Sequence, residues 1–262
     1  MSDIITRRPD IGIEYTPLPT SEASEMTDLL FHRDSYLREF EATVTETADN
    51  GVVLDRTAFY IGGGGQPYDT GVLTVNGQEY RVTRVGRVDG KIVHQIDDAL
   101  PAAGTSVNGR IDWDRRYLLM RTHTALHILC GVVWRDYGAK VTGGDMQPGA
   151  ARMDFELESM SSGFAHEVEE RVNAEVAAAR DVLVDNMSRE EADHHPDLIR
   201  TKINLLPSSI KEVRTIDITG LDLQADGGTH VANTREVGAI KVVGHESKGR
   251  INKRLRIELV KG

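Results

Sequence analysis

The tripeptide Asp112-Trp113-Asp114 divides this sequence into two stretches that follow different periodicities. Upstream, from Ser35 to about Ile111, short β-type runs recur between turn residues: Ala42 to Val44, Gly51 to Leu54, Val72 to Val75, Tyr80 to Val85 and Ile92 to Ile96. Asn76-Gly77 and Asp89-Gly90 fall between such runs, and these dipeptides favour two-residue hairpin turns because both residues tolerate positive φ. The spacing predicts a small antiparallel barrel or sandwich. Downstream, Arg115 to Tyr137 holds no proline and a single glycine, Gly131, behind acidic residues suited to a helix start. A second helix is expected from Ser162 to Ala179, where Phe164, Val168, Val172 and Val176 repeat every four residues as an apolar stripe. Ser188 and Glu191 have the spacing of a capping box and predict a short third helix. Strands are expected at Arg214 to Ile218, Ala239 to Val243 and Leu255 to Val260. The expected fold class is therefore α+β. A small N-terminal antiparallel β-barrel over residues 1–111, with a polar lead-in over 1–25, precedes an α+β domain over 112–262.

Composition narrows the function classes. No uncharged apolar run reaches the length of a membrane span, and no apolar stretch follows Arg7 and Arg8 as a signal peptide would require. A single cysteine, Cys130, excludes an intrachain disulfide and points to a reducing compartment, so a cytoplasmic location is expected. The net charge of -10 argues against a protein that coats nucleic acid generally. Lys248, Arg250, Lys253, Arg254 and Arg256 nevertheless form a local basic cluster, either a contact surface or a solvated hairpin. No protein partner is legible.

His123 and His127 lie four residues apart on the first expected helix. That spacing puts both imidazoles on one face, one turn apart, the geometry needed by two ligands of one tetrahedral ion. Two polar residues on a half-buried helix are the alternative. A zincin protease requires Glu directly after the first histidine, and here that residue is Thr124. A second stretch, Ala225-Asp226-Gly227-Gly228-Thr229-His230, flanks a two-glycine turn with a carboxylate and an imidazole, each able to ligate a metal. The run Gly62 to Gly65 is followed by Gln66-Pro67, so it is neither a phosphate-binding P-loop nor a dinucleotide fingerprint. The remaining histidines, His32, His94, His166, His194, His195 and His245, show no partner in sequence and read as structural.

Together these segments resemble the editing domain of alanyl-tRNA synthetase and its free-standing relatives, the AlaX trans-editing proteins. The likeness rests on the His-x-x-x-His helix and the Gly-Gly-Thr-His-Val segment. It extends to Leu54 through Tyr60 with Gly62 to Gly65, Gln66-Pro67, Asp69 and Gly71, which look like the family's glycine-rich motif. Phe31, Asp34-Ser35-Tyr36-Leu37, Arg152-Met153-Asp154-Phe155 and Thr234-Arg235-Glu236-Val237-Gly238 add local matches. The resemblance covers about residue 30 to the end and suggests the medium-length class, a small barrel followed by the editing domain.

What it implies is a hydrolase that deacylates mischarged tRNA(Ala), carrying Ser or Gly, at one zinc ion (Zn2+) per chain. His123, His127 and His230 are the implied ligands, and the glycine-rich loop is thought to face the editing site. Gln66 and Thr142 are the candidate catalytic residues, with Thr142 reading the serine hydroxyl. One departure stands out: the family's usual cysteine ligand is replaced by Asp226. Asp226 as the fourth ligand, a three-histidine site with water in the fourth position, and a site without activity all remain open. So do two rival readings of the whole chain, a non-catalytic tRNA- or zinc-binding module and a general zinc esterase.

Overall fold

The computed structural model describes residues 26–97, 99–158, 163–201 and 210–260. The expected lead-in over 1–25, and Ser162 at the start of the second expected helix, lie outside the described residues. Ahead of the barrel strands, β1 (Asp28–Leu29) pairs in parallel with β4 (Arg56–Thr57), which lies between the third and fifth strands in the chain. Six strands then close into that antiparallel barrel: β2 (Glu39–Ala48), β3 (Gly51–Leu54), β7 (Lys91–Ile96), β6 (Gln78–Val88), β5 (Gly71–Val75) and β8 (Ser106–Ile111). Both hairpin dipeptides form the turns their chemistry favours. Asn76 and Gly77 have φ of 49° and 84°, and Asp89 and Gly90 have 50° and 82°. Alternation does the rest: β2 turns Phe40, Ala42 and Val44 inward, and β8 turns Val107 and Ile111 inward. They meet Leu54, Leu73, Val82 and Ile92 in one core, where each fully buried aliphatic side chain contributes roughly 1.5–3 kcal/mol.

The second half is built around α1 (Trp113–Tyr137). Asp112 caps its first turn, accepting from Arg115 N at 3.3 Å, and Gly138 closes it in the left-handed conformation at φ 63°. Every residue from Thr122 to Val133 is buried, so this stretch has no solvent face. A four-stranded sheet, β14 (Ile240–Ser247), β15 (Lys253–Leu259), β10 (Ala150–Phe155) and β9 (Val141–Gln147), packs with α2 (Phe164–Ala177) around α1. The stripe on α2 buries Phe164, Val168 and Val172 in this core. A three-stranded sheet, β11 (Val182–Ser188), β12 (Glu212–Ile218) and β13 (Asp222–Ala225), completes the layer. Ser188 and Glu191 form the anticipated capping box at the start of α3 (Arg189–His194). The α+β class with an N-terminal barrel is thus observed.

The two halves are joined by a buried ion pair. Arg116 on α1 is fully enclosed and donates to Asp69 Oδ2 through Nε (2.9 Å) and Nη2, to Ser35 O (2.9 Å) and to Ala58 O (2.5 Å). Asp69 also accepts from Tyr60 N at 2.6 Å. A buried charge so thoroughly bonded orients the segment 58–69 against the helix.

The basic tail resolves into the β14–β15 hairpin. Arg254 pairs with Asp154 (2.6 Å), Arg256 with Glu246 (2.5 Å) and Lys248 with Glu246 (3.1 Å). Lys253 is buried, its Nζ donating to Gly249 O and Arg250 O. Three of the five basic side chains are thus ion-paired, to the two carboxylates of Glu246 and Asp154.

Candidate metal centre

A helix interior without a solvent face must supply internal partners to its polar side chains, and on α1 those are Thr122, His123, Thr124 and His127. Thr122 turns back on its own helix, donating to Leu118 O. The two histidines project towards the segment 225–230 and meet His230 and Asp226. Ligand atoms of His123, His127, Asp226 and His230 all lie within 4.8 Å of one another, and this group could hold a metal ion. The His123 and His230 rings stack at 4.3 Å between centroids, and His127 stands edge-on to both, at 5.1 Å from His123 and 4.7 Å from His230.

Each imidazole presents Nε2 to the Asp226 carboxylate. His230 Nε2 lies 3.1 Å from Oδ2, while His123 Nε2 and His127 Nε2 lie 3.6 Å and 3.9 Å from Oδ1. Behind each ring, Nδ1 faces a different residue. His123 Nδ1 meets Gln66 Oε1 at 2.9 Å, and His230 Nδ1 meets Thr124 Oγ1 at 3.2 Å. His127 Nδ1 makes no hydrogen bond and faces Asp222 Oδ2 at 3.8 Å. Asp222 itself is buried and held by Arg200 at 3.3 Å and by Gln224. Outer partners of this kind set the orientation and tautomer of ligating histidines.

Two local features allow the convergence. Gly63, Gly64 and Gly65 adopt φ of 132°, 57° and 87°, a left-handed succession open to glycine and strained for other residues. The turn closes with paired backbone bonds between Gly63 and Gln66, at 3.1 Å and 2.9 Å, and delivers Gln66 into the interior at 2% exposure. At Gly228 the reason is proximity: a Cβ there would stand 2.3 Å from His123 Cε1 and 2.7 Å from Gln66 Oε1. Asp226 Oδ2 in turn accepts from Gly228 N at 2.5 Å, which holds the carboxylate over the turn.

The electrostatics suit a cation. Burial pushes the His123, His127 and His230 imidazoles below the usual histidine range, favouring the neutral form a metal requires. Burial by itself would raise Asp226, but its interaction with His123 and the hydrogen bond from His230 outweigh this and hold the carboxyl well below the usual carboxylate range. Three nitrogens and one oxygen are a donor set that zinc accepts.

Of the residues singled out in sequence, His123, His127, Asp226, His230 and Gln66 are brought together. Thr142 is not among them: it is exposed on β9, and its hydroxyl donates to Asn252 Oδ1 at 2.7 Å. Residue type and spacing assign no role to Thr124, Asp222 and Thr229. Thr124 carried one signal, its position between the histidines on a helix with a buried face. Thr229 lies within the Gly-Gly-Thr-His-Val segment, which marks its place but not its contact with Gln66, and Asp222 carried no signal, since it meets His127 from a distant segment. Of the histidines read as structural, His94 is fully buried in the barrel, bonded to Thr57 Oγ1 at 2.8 Å.

The barrel, the α+β half and the enclosed three-imidazole, one-carboxylate cluster define a two-part protein organised around a candidate metal centre. Comparison with known sequences supplies the kinship. Residues 22–115 match the family model described as tRNA synthetases class II (A), and residues 213–256 match the Threonyl and Alanyl tRNA synthetase second additional domain. The chain is 40% identical to the alanyl-tRNA editing protein AlaX-M of Methanosarcina barkeri, covering 90% of this chain and 100% of that one. It is likewise 40% identical to AlaX-M of Saccharolobus solfataricus, over 88% of this chain and 98% of that one. The alanine–tRNA ligase of Pyrococcus abyssi shares 39% identity over 83% of this chain, which spans 24% of that enzyme. The chain belongs to the family of AlaX-M alanyl-tRNA editing proteins. Among the described residues no helix is long and apolar enough to cross a membrane.

Proposed function

We propose that this protein is a trans-editing hydrolase that removes the amino acid from mischarged tRNA(Ala), with His123, His127, Asp226 and His230 holding one zinc ion. The observation that carries the reading is the convergence of three buried imidazole Nε2 atoms on one half-buried carboxylate. It occurs in a chain matched along its length by AlaX-M proteins. The bond to be broken is an ester between the amino acid and the terminal ribose, so a held substrate and a positioned water suffice and no covalent nucleophile is needed. When bound, zinc supplies Lewis acidity towards the ester carbonyl and towards water. The protein's own part is to hold the ligands neutral and oriented, to keep bulk water out of the cluster and to admit the ester from the Asp226 side, the least buried of the four.

A biological need follows from binding energetics. A synthetase pocket shaped for alanine rejects serine or glycine only weakly, because one hydroxyl more or one methyl less changes binding little. A second site that hydrogen-bonds the hydroxyl can take serine and spare alanine, and Thr142 is the side chain we assign to that contact. Its present bond to Asn252 must then exchange for the substrate's. The decisive experiment is hydrolysis of Ser-tRNA(Ala), Gly-tRNA(Ala) and Ala-tRNA(Ala) side by side, with metal content measured on the same preparation. Release of serine and glycine with alanine spared, at about one zinc per chain, is expected. Turnover of free aminoacyl esters without turnover of charged tRNA would replace this reading with that of a general esterase.

A further inference from the structure

Gln66 comes from the barrel half yet lies among residues of the α+β half, with both ends of its amide engaged. Its Oε1 faces Thr229 N at 3.0 Å and His123 Nδ1 at 2.9 Å, and its Nε2 donates to Thr229 Oγ1 at 2.8 Å. All three residues are nearly inaccessible, at 2% for Gln66, 5% for His123 and 0% for Thr229. The direction of each bond follows from one group. A backbone N–H only donates, so the Gln66 atom opposite Thr229 N is the carbonyl oxygen and not the amide nitrogen. That same oxygen stands opposite His123 Nδ1, which must therefore carry the proton. The other ring nitrogen, Nε2, then presents a bare lone pair towards Asp226, His127 and His230.

We infer that Gln66 is a positioning residue: it locks His123 in the Nδ1-protonated tautomer, so that Nε2 is ready to ligate before any metal arrives. With its carbonyl and amide both committed, Gln66 acts on the chemistry through His123 and not by touching substrate. The glycine-rich turn acquires a role from this, because the left-handed run Gly63 to Gly65 is what swings Gln66 inward. The barrel thereby sets the electronic state of a ligand carried by the other half. The metal-affinity part of the inference rests on the zinc reading above; the tautomer part does not.

The test uses full-length protein labelled with 15N in its histidine rings. Imidazole NMR of the metal-free protein reports which nitrogen of His123 is protonated, with His123→Ala assigning the signals. Zinc affinity is measured in parallel under a competing chelator. The parent is expected to show His123 protonated at Nδ1. Gln66→Met, of similar shape without the acceptor, should release the tautomer towards Nε2 protonation and weaken zinc binding by about ten- to a hundredfold. Gln66→Glu keeps an acceptor for both His123 and Thr229 and should retain the parent's tautomer and most of its affinity. An Nδ1-protonated His123 with undiminished zinc affinity in Gln66→Met would overturn the inference, as would an Nε2-protonated His123 in folded Gln66→Glu. A parent that takes up no zinc, yet loses the tautomer in Gln66→Met, would sink the zinc reading and leave the positioning role standing.

Discussion

Helix α1 carries two buried polar nodes, Arg116 in its second turn and the His123/His127 pair further along, and the same barrel segment meets both. At the first, Asp69 and Ala58 from that segment, with Ser35, receive a guanidinium that directs its donors at them. The node is largely closed: Arg116 Nε, Nη1 and Nη2 each find an oxygen, and Asp69 Oδ1 is the one atom of the pair left without a hydrogen bond. At the second node, Gln66 engages only the rear nitrogen of one ring, and the front nitrogens converge on each other and on Asp226. Two nodes of similar burial, supported by one stretch of chain, thus differ in where their lone pairs point. Burial of polar groups marks a structural junction in one case and a candidate ligand site in the other, and outward satisfaction separates them.

The contrast is most severely tested at the closed node. Asp69→Ala should leave the Arg116 guanidinium buried without its carboxylate and cost about 3–5 kcal/mol in chemical denaturation. The pair replaced by apolar residues, Arg116→Met with Asp69→Leu, should recover most of that. A loss under ~1 kcal/mol for the single change would mean the node does not hold the halves together. At the open node the fold should survive and binding should suffer. Asp226→Ala is expected to lower zinc affinity by more than the roughly tenfold cost of losing an outer partner, because neutral imidazoles alone would surround a dication. Asp226→Cys, which restores the ligand type usual in the family, should tighten zinc binding and reduce tolerance of manganese or cobalt. Equal chelator competition for aspartate and alanine would favour three histidines with an open fourth position. Gly228→Ala drives a methyl group into His123 and Gln66, so a stability loss of about 1–3 kcal/mol should come with a distorted site, read in a cobalt absorption spectrum. An unchanged spectrum would show that the turn yields without disturbing the cluster. The smallest effect is expected at Thr142→Val, where one lost hydrogen bond of ~1.4 kcal/mol narrows the serine-to-alanine hydrolysis ratio roughly tenfold. An unchanged ratio removes Thr142 from substrate selection.

The sequence made the two kinds of node unequally visible. Positive-φ dipeptides declared the β5–β6 and β6–β7 hairpins, and the unbroken run from Arg115 to Tyr137 declared α1, because these signals are local. Strand β9 was hidden by Gly143 and Gly144, poor strand formers that are held in place by pairing with β10. Strands β8 and β11 likewise draw on partners supplied by distant segments. Within the site, residue type and spacing named the histidines, Asp226 and Gln66. What spacing could not express was which face of Gln66 meets His123, or that Asp222 and Thr124 stand behind the other rings. Those facts are set by the approach of segments far apart in the chain.

His123 and His127 sit where α1 is enclosed on every side, so their backbone amides are expected to exchange with solvent on the timescale of global unfolding. Asp226 and His230, by contrast, stand on a short glycine-containing turn tied down mainly by bonds to Gln66, Ser35 and Arg214, and its opening is expected to cost less than unfolding the helix. Any ion held between them would then have one slow wall and one quick one. Its residence time would be governed by the excursions of residues 225–230, and traffic into and out of the cluster would be a loop event in a protein whose central helix stays folded throughout.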